Sequence, residues 1–141
     1  MLSVVSPPPQ TGPLVARGEV VAPFVSLHED DQPVGAAGGD REFKVLIETE
    51  HVTQFVGFIR RSKAPQHTHA YEEAIYILEG EGITHIGDDR HEPISAGTSI
   101  YLPPGTPHCL ENRGEQTLKL LGVFSPPGSP ANRRETEPTE R

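Results

Sequence analysis

Glycines and prolines divide this chain into short segments, and none of them shows helical periodicity over a convincing length. The 141 residues include 14 glycines and 15 prolines, which form turns and interrupt helices. The apolar and β-branched residues between them occur in runs of strand length, which indicates an all-β chain folded as a sandwich or barrel. The predicted strands cover residues 42–48, 52–60, 74–78, 83–86, 98–102, 109–111 and 117–124.

The length fits one domain with a core of its own. We expect a flexible N-terminal segment over residues 1–13, a single β-barrel domain over residues 14–124, and a flexible C-terminal tail over residues 125–141. Both end segments are rich in proline and polar residues, which favours mobility.

Charge and cysteine usage narrow the classes of function. The formal net charge of −8 leaves no basic stripe for phosphates, so we expect neither a nucleic-acid partner nor an anionic membrane surface. The single cysteine, Cys109, cannot form an intrachain disulfide. The N-terminus lacks the pattern of a signal peptide, and no apolar run reaches the length of a membrane span. We therefore expect a cytoplasmic protein.

Four side chains form a candidate metal site. His67 and His69 are two residues apart, which places both imidazoles on one face of a strand. Glu73 follows, and a bend at residues 70–71 could bring its carboxylate to the same ion, with His108 arriving from a distant segment. Three imidazoles and a carboxylate suit one divalent transition metal ion, and we favour Fe²⁺ over Zn²⁺, Mn²⁺ or Ni²⁺. The remaining histidines His28, His51 and His91 are interpreted as surface or hydrogen-bonded residues.

The spacing of these residues resembles the two sequence motifs of the cupin superfamily. The first motif is matched by His67-x-His69, Glu73 and Gly80, and the second by Gly97, Pro103, Gly105, His108 and Asn112. One position departs, because Arg61 stands where the first motif usually begins with glycine. The resemblance covers residues 57–112 and implies a double-stranded β-helix, or jelly-roll barrel, with His67, His69, Glu73 and His108 as the metal ligands. It also implies a homodimer.

Positive φ is expected at Gly80 and Gly97, where tight turns need it. We expect residues 103–105 to form a rigid turn that aims His108, and Asn112 to bond backbone groups. Cys109 should face away from the metal as a packed thiol. Ile75 and Ile77 share a face with Glu73 and should form a dry wall. Further candidates for the pocket, each also compatible with core packing or a solvated surface, are Arg60, Tyr71, His85, Tyr101 and Phe124.

Three functions remain open, and in each the partner is a small organic molecule. The favoured one is a mononuclear non-haem iron dioxygenase, because the resemblance includes cupin dioxygenases. The second is a non-redox isomerase, lyase, decarboxylase or polyketide-cyclase-like enzyme in which the metal acts as a Lewis acid. The third is a metal-containing module that binds a ligand without turnover. No catalytic residue beyond the metal centre is identified, and fold alone does not fix chemistry.

Residues 14–27 have apolar residues in strand-like spacing, broken by Gly18 and Pro23. In the expected homodimer, this segment could supply a strand that crosses to the partner. The alternative is an edge strand added to the chain's own sheet.

Overall fold

The structure is a computed structural model that describes residues 15–16, 19–20, 35–36, 41–131 and 134–135. Every regular element in these residues is a β-strand, and no helix occurs among them. In chain order the strands are β1 Val15–Ala16, β2 Glu19–Val20, β3 Gly35–Ala36, β4 Arg41–Glu48, β5 Thr53–Ile59, β6 His67–Thr68, β7 Glu72–Glu79, β8 Glu81–Ile86, β9 Arg90–Ser95, β10 Ser99–Leu102, β11 His108–Glu111, β12 Leu118–Ser125 and β13 Arg134–Glu135.

The strands form two antiparallel sheets. The larger sheet has the order β10-β7-β12-β5-β4-β1-β2, with β3 paired to β4, and the smaller has the order β13-β6-β11-β8-β9. Neighbours in a sheet are often distant in sequence, because the chain passes between the sheets. This is the double-stranded β-helix, and the predicted all-β jelly-roll fold is confirmed.

Alternation along the strands builds the core. On β7, Glu73, Ile75 and Ile77 are buried, while the residues between them are only partly covered. Side chains of a strand point alternately to opposite faces, so the carboxylate lies on the same buried face as the two isoleucines. Of the dry wall expected from Ile75 and Ile77, Ile75 lines the cavity, whereas Ile77 is packed in the core outside the lining. The same alternation on β12 buries Leu118, Leu120 and Phe124 between the sheets.

The predicted hairpin of β4 and β5 is also present. The two strands pair from Arg41↔Ile59 to Glu48↔Thr53, with a bulge between Val45 and Ile47. Thr49 closes the turn, because its backbone N–H donates to the carbonyl of Val52. A bulge bends and twists a strand, which helps this long hairpin to curve around the core.

The expected turns have the required backbone. Gly80 has a φ of 86° and Gly97 a φ of 96°, values that residues with a Cβ rarely adopt. The Asn112 side chain donates to the carbonyls of Ile59 and Gln116 and accepts from the N–H of Gly114. It therefore bonds backbone groups, as expected, and connects its own turn at residues 112–116 to the end of β5.

The longest strand that the prediction missed is β9, besides the two-residue strands β3 and β13. β9 pairs along its whole length with β8, yet it contains Pro93 and is exposed at every position except Ile94. A polar, proline-containing segment lacks the apolar alternation on which the prediction depended. Its position at the edge of the smaller sheet explains the tolerance of proline, since an edge strand leaves N–H groups unpaired.

The described parts of both ends of the domain contact the barrel. β1 pairs with β4 of the same chain, which agrees with the edge-strand alternative for residues 15–16. After residue 124 the chain continues against the barrel: Pro130 is buried, Tyr71 Oη donates to the Ser129 carbonyl, and β13 pairs with β6. The rest of the predicted flexible segments, and His28, lie outside the described residues.

Within these described ranges, no helix has the length and hydropathy that a membrane span requires.

Candidate metal centre

Three imidazoles meet between β6 and β11. These strands are antiparallel neighbours with His67 directly opposite His108, and their ring centroids are 4.4 Å apart. His69, one residue beyond β6, has its ring centroid 4.9 Å from that of His67 and 5.5 Å from that of His108. Each ring offers a nitrogen, and these three atoms lie within 4.8 Å of one another. The strand pairing thus brings together residues about forty positions apart.

Glu73 approaches this cluster from the other sheet. The chain bends at residues 70–71, as expected, and then enters β7. The Glu73 Oε1 atom lies 3.4 Å from His108 Nε2 and 3.8 Å from His69 Nε2. All four predicted residues therefore converge, and each is largely buried. Their role as metal ligands stays a prediction.

A backbone hydrogen bond sets the tautomer of His108. Its Nδ1 lies 2.8 Å from the carbonyl oxygen of Thr106, and since a carbonyl only accepts, Nδ1 must carry the proton. Nε2 then presents its lone pair to the cluster, as metal-binding histidines commonly do. The turn expected at residues 103–105 holds this arrangement. The Thr106 N–H donates to the Pro103 carbonyl, and the Gly105 N–H donates to the His69 carbonyl.

Aromatic rings support His69. The Tyr71 ring stacks on it at 5.2 Å and 15°, and the Phe124 ring lies 5.0 Å from it. Burial, together with the negative charge of Glu73, raises the pKa of Tyr71 to about 12. This phenol therefore stays neutral at ordinary pH. Among the five pocket candidates, Tyr71 and Phe124 are the two that reach the histidine cluster.

The other three candidates lie elsewhere. Arg60 is exposed and pairs with Glu42, and Tyr101 is 59% exposed and donates to Glu72. The interpretation of His85 as a pocket residue is wrong, because it belongs to a separate network. Its Nε2 lies 2.8 Å from a Glu111 carboxylate oxygen, and its Nδ1 lies 2.7 Å from Nδ1 of His91.

Cys109 is buried, with 1% of its surface exposed, and it is absent from the cavity lining. Burial raises the pKa of its thiol. It is the packed, unreactive thiol expected from its position next to His108.

The residues present fit a divalent cation. Glu73 Oε1 is buried and finds no hydrogen-bond donor within the described part of the chain. A buried carboxylate oxygen without a partner is costly, and here the nearest polar atoms include the lone pair of His108 Nε2. A cation between them would satisfy both. Three imidazoles with a carboxylate are typical ligands of Fe²⁺, Zn²⁺, Mn²⁺ and Ni²⁺.

The cluster lines one side of a cavity of about 80 Å³. The other lining residues are almost all apolar, and they come mainly from β5, β11 and β12: Phe55, Gly57, Ile59, Ile75, Leu110, Leu120, Phe124 and Pro130. The exception is Arg41, which the sequence analysis did not identify. The sequence did contain a sign of this position, because Arg41 is two residues before the buried Phe43 and so lies on the same face of β4. The predicted strand began one residue after Arg41 and therefore excluded it.

Comparisons with known proteins agree with the observed fold. The family model of the cupin domain matches residues 57–124. An uncharacterized protein of Methanocaldococcus jannaschii is 44% identical over 69 residues, which are 48% of this chain and 54% of that protein. The chain thus spans about half the length of this relative.

Two solved structures are similar over most of the chain. The polyketide cyclase RemF from Streptomyces resistomycificus has a TM-score of 0.65 and 22% identity, covering 83% of this chain and 88% of that one. A conserved protein with a double-stranded β-helix domain from Klebsiella pneumoniae has a TM-score of 0.67 and 21% identity, covering 84% and 100%. At these identities the likeness is one of fold.

Proposed function

We propose that this chain, which matches the cupin domain over residues 57–124, is a metal-dependent enzyme of the cupin superfamily that acts on a small organic molecule. One observation carries the proposal: three imidazole nitrogens lie within 4.8 Å of one another, beside a buried carboxylate oxygen that has no hydrogen-bond donor among the described residues. His67, His69, Glu73 and His108 would hold the ion. When bound, a divalent ion would supply Lewis acidity and, in the case of iron, redox chemistry with dioxygen.

The chain's own residues orient and shield the reactants. The Thr106 carbonyl keeps the proton on His108 Nδ1, and Tyr71 stacks on His69, so both rings keep a fixed direction. The apolar side chains of Phe55, Ile75 and Phe124 line the cavity. They limit access of water, which strengthens electrostatic interactions inside.

We favour a dioxygenase as the reaction type. Apart from the four proposed ligands, Arg41 is the one ionisable side chain among the described residues that line the cavity, and arginine stays protonated. These described lining residues therefore supply no separate acid–base group to shuttle protons. A dioxygenase fits this lining, because in such an enzyme the metal would bind both dioxygen and the organic substrate.

A non-redox reaction is the second candidate, favoured by the similarity to the polyketide cyclase RemF. In a non-redox reaction Glu73 would be a metal ligand and also the one carboxylate among the described lining residues. The ion would polarise a carbonyl or enolate of the substrate. The third candidate is a metal-containing protein that binds a small ligand without turnover.

The test begins with metal analysis of protein purified without added metal or chelating resin. We expect close to one equivalent of iron per chain, and oxygen uptake with aromatic or enol substrates. Activity that survives strict anaerobiosis with Zn²⁺ or Mn²⁺ would replace the dioxygenase with the second candidate. Ligand capture without product would leave a binding protein.

A matched pair of variants tests the site itself. His108→Ala should lose most of the metal, whereas His51→Ala should retain it, because His51 is outside the cavity lining. Equal metal content in the two variants would contradict the proposed ligand set.

We further propose that the protein is a cytoplasmic homodimer, as the resemblance to cupins and the single cysteine led us to expect. Light scattering at several concentrations tests the stoichiometry. A mass of 15.3 kDa at all concentrations would contradict a dimer.

A further inference from the structure

Arg41 is a buried charge in the wall of the cavity. It is the first residue of β4 and is 6% exposed, whereas arginine is rarely this buried. Its Nη1 donates to Ser62 Oγ at 2.5 Å, and its Nη2 donates to the carbonyl of Leu110. These bonds fix the guanidinium in one position, so its charge has a defined place relative to the histidines.

That place lies close to the proposed metal ligands. Leu110, whose carbonyl accepts from Arg41, is two residues after His108 on β11. The side chains of Leu110 and His108 share a face, and both line the cavity. Two residues of a strand span about 7 Å. Arg41 and the imidazole cluster therefore belong to the wall of one cavity, and the backbone group that holds the guanidinium is two strand residues from His108.

The charges of the cavity favour an anion. Among the described lining residues the charged side chains are Arg41 and Glu73, which offset each other. A bound divalent ion would add two positive charges to this described lining, whose residues other than Arg41 and the four proposed ligands are apolar. In such surroundings a charge-assisted bond from a guanidinium to a carboxylate is stronger than in water.

We propose that the cavity binds a compact organic acid, with one carboxylate directed to Arg41 and a second oxygen donor directed to the metal. The inference rests on the proposed metal centre and adds the substrate class. The volume of about 80 Å³ is well below the roughly 300 Å³ at which sites for drug-sized ligands begin. A small acid fits this size, and a long or bulky substrate does not without movement of the walls.

The test compares succinate with succinamate, in which an amide replaces one carboxylate. Succinate can place one carboxylate at the metal and the other at Arg41, whereas succinamate must leave one of these two positions with a neutral amide, so the difference between the probes reports the second charge. Calorimetry on the Co²⁺-loaded wild-type protein should give a dissociation constant at least tenfold lower for succinate, the lower end of what a hydrogen bond to a charged group contributes. Equal constants for the two probes in the wild-type protein would overturn the proposal.

Variants separate recognition from a structural role of Arg41. Arg41→Gln should reduce the preference for succinate to within about twofold to threefold, and Arg41→Lys should keep part of it because the charge remains. Arg60→Gln, which alters an exposed arginine, should keep the full preference. An Arg41→Gln variant that is folded and retains the wild-type ratio would also overturn the proposal.

The same measurements on metal-free protein distinguish this inference from the proposed function. Absence of metal binding would refute the metal centre. Weaker binding of either probe by metal-free Arg41→Gln than by the metal-free wild type would still support Arg41 as the anion site. Normal metal content without any preference would refute the anion site alone.

Discussion

Replacing Glu73 with glutamine should shift the stability of the metal-free and metal-loaded proteins in opposite directions. Glu73 is 5% exposed, and its Oε1 lies 3.4 Å from His108 Nε2. His108 Nδ1 carries a ring proton, so in the neutral imidazole both of these atoms are acceptors when no cation separates them. Glutamine has nearly the same shape, removes the buried charge and offers an N–H to the imidazole lone pair. The metal-free variant should therefore be more stable than the wild type.

The expected magnitudes differ enough to be measured. Relief of a buried, unsatisfied acceptor contributes about 1–3 kcal/mol, which corresponds to a rise in Tm of roughly 3–10 °C for a domain of this size. Metal at 100 times its dissociation constant stabilises the wild type by about 2.7 kcal/mol. If loss of the carboxylate weakens binding about 100-fold, the same concentration stabilises the variant by only about 0.4 kcal/mol.

Urea denaturation with chelator, and again with excess Zn²⁺, gives both quantities for each protein. Glu72→Gln is the matched control, because Glu72 is the preceding residue of β7, is exposed, and accepts a hydrogen bond from Tyr101. We expect the control to keep the full metal-induced stabilisation. The reasoning fails if Glu73→Gln destabilises the metal-free protein, or if Zn²⁺ stabilises that variant as much as the wild type.

Four further outcomes follow from the structure. His67→Ala should release most of the metal, as we expect of His108→Ala, and elemental analysis would detect a variant that retains it. Metal affinity should fall below about pH 6, because imidazole must be neutral to bind; titrations giving one constant from pH 5 to 8 would contradict these ligands. The pKa of Glu111 is lowered to about 2, mainly by its hydrogen bond from Arg113 and then by that from His85. It therefore contributes stability that is present above about pH 4.5 and is lost as the pH falls towards 2. Glu111→Gln should accordingly lose less stability between pH 5 and 3 than the wild type, and equal losses in urea denaturation would refute this. Gly82→Ala should cost about 1–3 kcal/mol, because its Cβ would lie 2.3 Å from the carbonyl oxygen of residue 111; an unchanged Tm would contradict it.

The local features of the fold could be predicted from the sequence because they depend on short-range rules. Positive φ at Gly80 and Gly97 follows from turn chemistry, and the burial of Glu73 with Ile75 follows from alternation within a single strand. The convergence of the four proposed ligands could be predicted because their spacing matched a known pattern. The strand β9 could not, since Pro93 and its polar neighbours show no alternation.

The residues that the sequence did not reveal depend on contacts between segments that are far apart in the chain. Arg41 enters the cavity because the start of β4 meets β11, and its bond to Leu110 spans 69 positions of the sequence. Alternation along β4 predicts that the Arg41 side chain points inward, but it does not predict which residues that side chain contacts. The same limit applies to His85, whose partner Glu111 is 26 positions away. A histidine near the motifs is a reasonable pocket candidate until the strand register assigns its partner.

The four proposed ligands come from both sheets, and this links metal binding to the packing of the whole barrel. His67 and His108 belong to the smaller sheet, whereas Glu73 belongs to β7 of the larger one. An ion held by all of them would connect the two sheets directly. Without the ion, the carboxylate lies beside the His108 lone pair across that same interface and opposes the packing. Metal binding should therefore increase the stability of the domain as a unit, and chelation should weaken the contact between sheets before it disturbs the hairpins within them.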